Sequence, residues 1–248
     1  MELSMSFEAL TTLLQKPFDL LIHIVAFLVA LVLHELSHAV IARACGDPTA
    51  QQAGRITLNP LVHLDPFGSV ILPLLSMMLG GGMIAYAKPV PYNPANLKQR
   101  TRDEVLVALA GPLSNLLQAL VGALLLGLVL GSVSIDFVQS APWMAYVFKF
   151  LTLYIMINIS LMFFNLLPIP PLDGSAIIFP LLSKSAQQRY YQIQAQALPI
   201  LLVLLYILPQ LTHVDILGMY IGQAGGALFD MLYNFASFIQ ALFVRPLL

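Results

Sequence analysis

Charge is what this chain has least of. Asp, Glu, Lys and Arg make up 9% of its 248 residues, and apolar residues make up 59%. A soluble domain carries about 25% charged residues. With a mean hydropathy of +0.86, this balance excludes an ordinary soluble domain and points to an integral membrane protein. Formal net charge is −1, and no basic cluster interleaved with aromatics occurs, which argues against nucleic acid as a partner. Cys45 is the only cysteine, so no internal disulfide forms, and it says little about redox compartment. No cleavable signal peptide stands out, because the first long apolar run holds the motif described below.

What the chain has in abundance is long apolar runs. Crossing a hydrocarbon core of about 30 Å takes about 20 helical residues. Five runs reach or approach that length: 18–44, 104–131, 144–166, 195–211 and 214–243. A sixth, 67–84, carries Pro73 and Gly80-Gly81-Gly82, which suit a straight spanning helix poorly. Lys and Arg gather in the loops 45–66, 85–104 and 183–194 and at Arg245, and are absent from 132–143 and 212–213. The positive-inside rule then puts the basic loops in the cytoplasm. Both flanks of 67–84 fall on that side, so the segment is expected to be a re-entrant hairpin covered by protein or water. The expected fold is an all-α polytopic membrane protein with five to six transmembrane helices. Residues 1–17 read as an interfacial amphipathic segment, and the Pro-rich stretch Ala87–Asn96 as an extended cytoplasmic loop.

Inside the first apolar run lies His34-Glu35-Leu36-Ser37-His38. Residues four apart on a helix sit about 40° apart around its axis, so both imidazoles face one way. Glu35 stands beside them. This is the H-E-x-x-H pattern of zinc proteases. With five histidines in the chain, a chance match is expected on the order of 0.002 times. Ionisable residues in a membrane span are costly and functional by default, so the motif points to metal-assisted hydrolysis within a bilayer.

A catalytic zinc site needs a third protein ligand. The best candidate is Asp173, in Asn165-Leu166-Leu167-Pro168-Ile169-Pro170-Pro171-Leu172-Asp173-Gly174. The prolines break the helix and let a carboxylate turn inward, and Gly174 permits close approach. The bland alternative is a cytoplasmic turn between helices, but apolar residues continue to Leu182.

Together these motifs resemble the site-2 proteases, a family of intramembrane zinc metalloproteases. Asn165, Pro168, Leu172, Asp173 and Gly174 fit the family's N-x-x-P-x-x-x-L-D-G motif, and Gly111-Pro112-Leu113-Ser114-Asn115 fits its G-P-x-x-N segment. Leu58-Asn59-Pro60 and His63-Leu64-Asp65-Pro66 look like the small bacterial and archaeal members, without PDZ or nucleotide-sensing CBS domains. The resemblance implies a three-helix catalytic core within residues 18–182, preceded by the 1–17 segment and followed by C-terminal transmembrane helices in 183–248. It implies one Zn2+ per chain on His34, His38 and Asp173, with Glu35 activating a zinc-bound water as general base. It also implies that Asn165 donates its amide to the tetrahedral oxyanion. The expected reaction is hydrolysis of peptide bonds within or near a transmembrane segment of a membrane-protein substrate, which must unwind locally to present a carbonyl.

The remaining polar residues carry weaker readings. Asn115 is expected to contact substrate or pack helices, and Gly111 and Ser114 to allow close helix approach. His63 and Asp65 are expected to be a solvated loop pair or, failing that, an inlet or a brace for the re-entrant loop. The stretch 54–86 is a candidate extended edge for an unwound substrate strand. Alternatives to the protease are a metal transporter using the same His/Asp cluster and an inactive membrane protein that captures substrates. The partners expected are a transmembrane protein substrate and the lipid bilayer. The expected location is a prokaryotic plasma membrane, with the site toward the cytoplasm.

Overall fold

The computed structural model describes residues 17–72, 86–194, 196–197, 201, 203 and 208–243. The expected interfacial segment, most of the 67–84 hairpin and most of the 195–211 run lie outside the described residues. Among the described residues, three helices are long and apolar enough to cross a membrane: α1 (Pro17–Ala44), α4 (Arg100–Ser132) and α6 (Met144–Asn165). Among the described residues between α1 and α4 lie the single-turn helices α2 (Thr49–Gln52) and α3 (Pro60–His63). A short helix α5 (Ile135–Ser140) links α4 to α6. Beyond α6 come α7 (Asp173–Ile178), α8 (Lys184–Gln194), α9 (Leu208–Thr212), α10 (Ile216–Tyr220) and α11 (Gly226–Phe243). A π-helical stretch, Ile221–Gly225, joins α10 to α11, so 216–243 is continuously helical, as expected for the last apolar run.

The helix α4 is the hub, packing against α1, α6, α7 and α11. Small residues let it approach its neighbours closely. An added Cβ at Gly122 would meet Tyr154 and Ile155 of α6, and one at Gly127 would meet the backbone of Ala236 on α11. Without a hydrophobic drive between helices in lipid, such close packing is the main source of their association. Ala119, Ala123 and Leu126 form one core cluster with Leu151, Ile155, Ile159, Leu232 and Ala236. Large apolar residues such as Leu21, Ile24, Leu113, Leu117, Met156 and Phe238 are exposed on the outer surface. A soluble monomer rarely exposes so much apolar surface, whereas a bilayer covers it, and the protein is read as integral to a membrane.

The segment between α1 and α4 is organised by one device used four times. Asp47-Pro48, Asn59-Pro60, Asp65-Pro66 and Asn93-Pro94 each set an acceptor side chain before a proline. In each, the side chain accepts the backbone N–H two residues on, from Thr49, Leu61, Phe67 and Ala95, at 3.0–3.1 Å. At Asn59 and Asn93 the acceptor caps a helical turn, and proline has no N–H to leave unsatisfied at the first position. Over 54–72 this departs from the expectation of an extended edge through 54–86, of which 73–85 lies outside the described residues. The described part of that stretch turns helical at α3 and at Phe67–Ile71. Among the described residues its extended pairing is a single antiparallel bridge, Leu64 with Ala87. Residues 184–194 also differ from expectation: the basic loop is the polar helix α8, docked by Tyr190 through Ser175 and Phe179.

Candidate metal centre

The two histidines of α1 meet the Pro-rich turn after α6 across the face of α4. Asp173 stands at the first position of α7, where Leu172 precedes it in extended conformation. The turn is fixed by Ser175, whose N–H and hydroxyl both donate to the Leu172 carbonyl, at 3.0 and 2.6 Å. Gly174 is required there, since an added Cβ would collide with the carbonyls of Leu166 and Leu167.

His34 Nε2 and His38 Nε2 lie 3.1 Å apart, and Asp173 Oδ2 lies 3.3 Å from the first and 3.4 Å from the second. The other ring nitrogens have partners that accept hydrogen bonds. His34 Nδ1 donates to Asn115 Oδ1 at 2.6 Å, and His38 Nδ1 donates to the Val107 carbonyl at 2.7 Å. In a neutral imidazole that leaves Nε2 as an acceptor. Two ring lone pairs and a carboxylate oxygen thus converge on one point, a donor set that a cation satisfies. Asp173 Oδ2 is buried and makes no hydrogen bond. Tetrahedral zinc ligands at 2.0–2.1 Å are spaced about 3.3–3.4 Å from one another, and the three separations here, 3.1, 3.3 and 3.4 Å, lie at or just under that spacing. His34, His38 and Asp173 are the group of metal-binding type among the described residues.

Val107, Gly111 and Asn115 form one face of α4. Pro112 lies inside the same helix and cannot donate to the carbonyl one turn back. The absence of a side chain at Gly111 is what admits both imidazoles, a closer role than the helix packing expected for it. Asn115 is fully buried, with its amide engaged by His34 and by Asn158 Oδ1 at 2.8 Å. Its burial and its bond to Asn158 fit the packing alternative of its reading.

Glu35 is buried beside the histidines and lines a cavity of about 500 Å³ together with His34, His38, Asn165 and Asp173. Tyr86, Pro89, Val90 and Tyr92 of the extended segment form its other wall. Asn165 reaches this cavity, although its Nδ2 donates to the Leu161 carbonyl of its own helix at 3.0 Å. His63 and Asp65 are not a solvated pair. His63 is fully buried with Nε2 on the Thr57 carbonyl at 2.9 Å, and Asp65 Oδ1 accepts the N–H groups of Phe67 and Gly68. Both hold the loop together through these bonds.

Asn158 was not singled out from the sequence, and neither were Gln118 and Tyr154. The Tyr154 hydroxyl donates to Gln118 Oε1 at 2.6 Å, and Gln118 Nε2 donates to the Ala30 carbonyl at 3.4 Å. Buried amides in apolar helices were the available signal: each must be satisfied by a neighbouring helix.

A family model described as peptidase family M50 matches residues 22–140 and 127–208. The chain is 36% identical to "Putative zinc metalloprotease YwhC" of Bacillus subtilis over 73% of its own length and 78% of that relative's. It is 34% identical to "Putative zinc metalloprotease Rip2" of Mycolicibacterium smegmatis, over 66% of this chain and 59% of that one. A protein of the same name from Mycobacterium tuberculosis is matched at 34% over 73% of this chain and 65% of the relative. The Rip2 proteins are thus matched over less than two thirds of their length. No solved structure matches. A metal-ready His/His/Asp cluster within apolar helices, in a chain matched along most of its length by this family, makes the protein a metalloprotease of peptidase family M50, the site-2 proteases.

Proposed function

We propose that the protein is an intramembrane endopeptidase, cutting peptide bonds within or near a transmembrane segment of its substrate. The observation that carries this reading is the position of the metal cluster. His34 and His38 lie within a helix apolar and long enough to cross a membrane. His38 is six residues from Ala44, or about 9 Å from the end of the helix. With the basic loops in the cytoplasm, the site opens toward the cytoplasmic side of a prokaryotic plasma membrane, close enough to its surface to admit water.

His34, His38 and Asp173 would hold one zinc ion. When bound, it supplies Lewis acidity, lowering the pKa of water and polarising the scissile carbonyl. Glu35 lies beside the cluster without belonging to it and accepts the proton of the attacking water, then returns it to the leaving amine. Asn165, on the cavity wall, gives up its bond to Leu161 and turns its amide to the developing oxyanion. The substrate would enter as an unwound stretch of chain rather than as a helix, since each helical carbonyl is already engaged by an N–H of its own segment.

The test is metal content of the detergent-purified protein by elemental mass spectrometry, beside His34→Ala and Asp173→Ala, with cleavage of a membrane-protein substrate measured in parallel. One zinc per wild-type chain, lost in both variants together with cleavage, supports the reading. Zinc retained by both variants, or a wild type that stays metal-free when zinc is supplied, overturns it.

A further inference from the structure

The orientation of His34 is set from outside the motif, by a chain of buried amides that begins on α6. Asn158 and Asn115 are both fully buried, on α6 and α4. Asn158 Nδ2 donates to the backbone carbonyl of Tyr154 at 2.9 Å, Asn115 Nδ2 donates to Asn158 Oδ1 at 2.8 Å, and Asn115 Oδ1 faces His34 Nδ1 at 2.6 Å.

The direction of this chain follows from its first member. A backbone carbonyl accepts and cannot donate, so Asn158 must turn its NH2 toward Tyr154 and its oxygen toward Asn115. That oxygen in turn requires the NH2 of Asn115, which leaves the Asn115 oxygen for the ring. Facing an acceptor, His34 carries its proton on Nδ1 and keeps the Nε2 lone pair for the cluster with His38 and Asp173. A reversed Asn115 amide would present an N–H to Nδ1 and favour the tautomer with Nε2 protonated, which cannot ligate a metal through that atom. His38 needs no such relay, because its Nδ1 already meets a backbone carbonyl, that of Val107.

We propose that Asn158 is a positioning residue of the metal centre, fixing the His34 tautomer through Asn115 although it touches neither substrate nor metal. The proposal rests on the metalloprotease reading for its consequence, but the tautomer itself is measurable without metal. Partners that orient a ligating histidine commonly change metal affinity 10–100-fold when removed. Asn158→Leu keeps the volume and removes both polar atoms, so Asn115 loses its reference. Asn158→Asp is the conservative variant: a carboxyl buried in apolar surroundings stays protonated, and its O–H and C=O reproduce the donor and acceptor of the amide.

Two readouts on the full-length protein in detergent test this. The first is 15N NMR of histidine-labelled, metal-free protein at alkaline pH, with His34 assigned by comparison with His34→Gln. The second is zinc affinity by chelator competition. The expected result is an Nδ1–H His34 in the wild type and in Asn158→Asp, and a shift toward Nε2–H in Asn158→Leu. Zinc affinity should fall about 10-fold or more in Asn158→Leu and recover to within a few-fold in Asn158→Asp. An Nε2–H His34 in the wild type overturns the proposal even if Asn158→Leu fails to fold. So does an Asn158→Leu protein with wild-type tautomer and affinity, or an Asn158→Asp protein as impaired as Asn158→Leu. A wild type that shows the Nδ1–H tautomer yet binds no zinc would remove the metalloprotease reading and leave the relay standing.

Discussion

Gly111 of α4 lies against the imidazole of His34 so closely that a Cβ in its place would overlap the ring, and would press on His38 Nε2 as well. The glycine is held in a helix interior, where it costs about 1 kcal/mol relative to alanine. Alanine would be the better helix former, yet it cannot be accommodated without moving the ligands.

Gly111→Ala is accordingly expected to separate helix stability from metal binding. Inserting a methyl into a packed site typically costs about 1–3 kcal/mol, and here the yielding groups are the two rings. Zinc affinity should fall at least tenfold by chelator competition, while helical content by circular dichroism stays at the wild-type level. An alanine variant with unchanged zinc affinity would show that the rings lie further from α4 than the structure places them.

The contrast between Gly111 and Asn158 shows what could be read in advance. The spans, the His34/His38 pair and the Asp173 turn were legible because each is written in contiguous residues: apolar runs of membrane length, an i,i+4 pair, a cluster of prolines before an acid. Asn158 belongs to no local pattern. Its meaning comes from Asn115, 43 residues away, and only the packing of α4 on α6 brings them together. The helix α8 was missed for the opposite reason. Its residues are good helix formers but polar, and no apolar run marks them in the sequence. The turns at Asn59-Pro60 and Asp65-Pro66 were legible as cap-and-proline signals, but glycine and β-branched neighbours favoured an extended reading.

Glu35→Gln preserves shape and removes the proton acceptor. Because Glu35 is not one of the three converging ligands, zinc content should match the wild type. Cleavage should fall about 10²–10⁴-fold, the range a positioned acid–base group supplies. A transporter using the same cluster would still move zinc into proteoliposomes in this variant, and unimpaired cleavage would remove Glu35 from the chemistry.

Asp47, just beyond the end of α1, gathers four hydrogen bonds: from the N–H and hydroxyl of Thr49, the N–H of Asn93 and the side-chain amide of Asn96. Burial pushes its pKa up, but the bonds from Asn96, Thr49 and Asn93 outweigh burial and hold the carboxyl below its usual value of 3.8. A carboxylate with a depressed folded pKa stabilises the protein above its unfolded value, and that contribution fades as pH falls through the folded one. The wild type should therefore lose this anchor only below about pH 4. Asp47→Ala should melt a few degrees lower at pH 7, with a smaller gap between the two proteins under acid. An equal gap at both pH values would mean that the carboxylate charge does not hold the 93–96 turn.

Arg55 connects this loop region to the cavity. It is 4% exposed, and its guanidinium donates to the carbonyls of Lys88 and Pro89. The same extended segment supplies the cavity wall through Tyr86, Pro89, Val90 and Tyr92. Pro89 and Pro91 cannot donate backbone bonds, so this segment depends on Arg55, on the Lys88 N–H to the His63 carbonyl at 2.8 Å and on the Ser69 hydroxyl to the Tyr86 carbonyl at 2.9 Å. Truncating Arg55 leaves two carbonyls without their charged partner, a loss of about 1–3 kcal/mol. Arg55→Ala should keep zinc, because the supports of the three ligands come from α4 and the α7 turn rather than from Arg55, and should raise KM several-fold while becoming susceptible to limited proteolysis near Lys88. Arg55→Lys should restore only part of this, since an ammonium on a flexible stem lacks the planar fork that reaches both carbonyls. Wild-type KM and proteolytic resistance in Arg55→Ala would place the substrate-facing wall elsewhere, whereas loss of zinc would tie the loop to the metal centre itself.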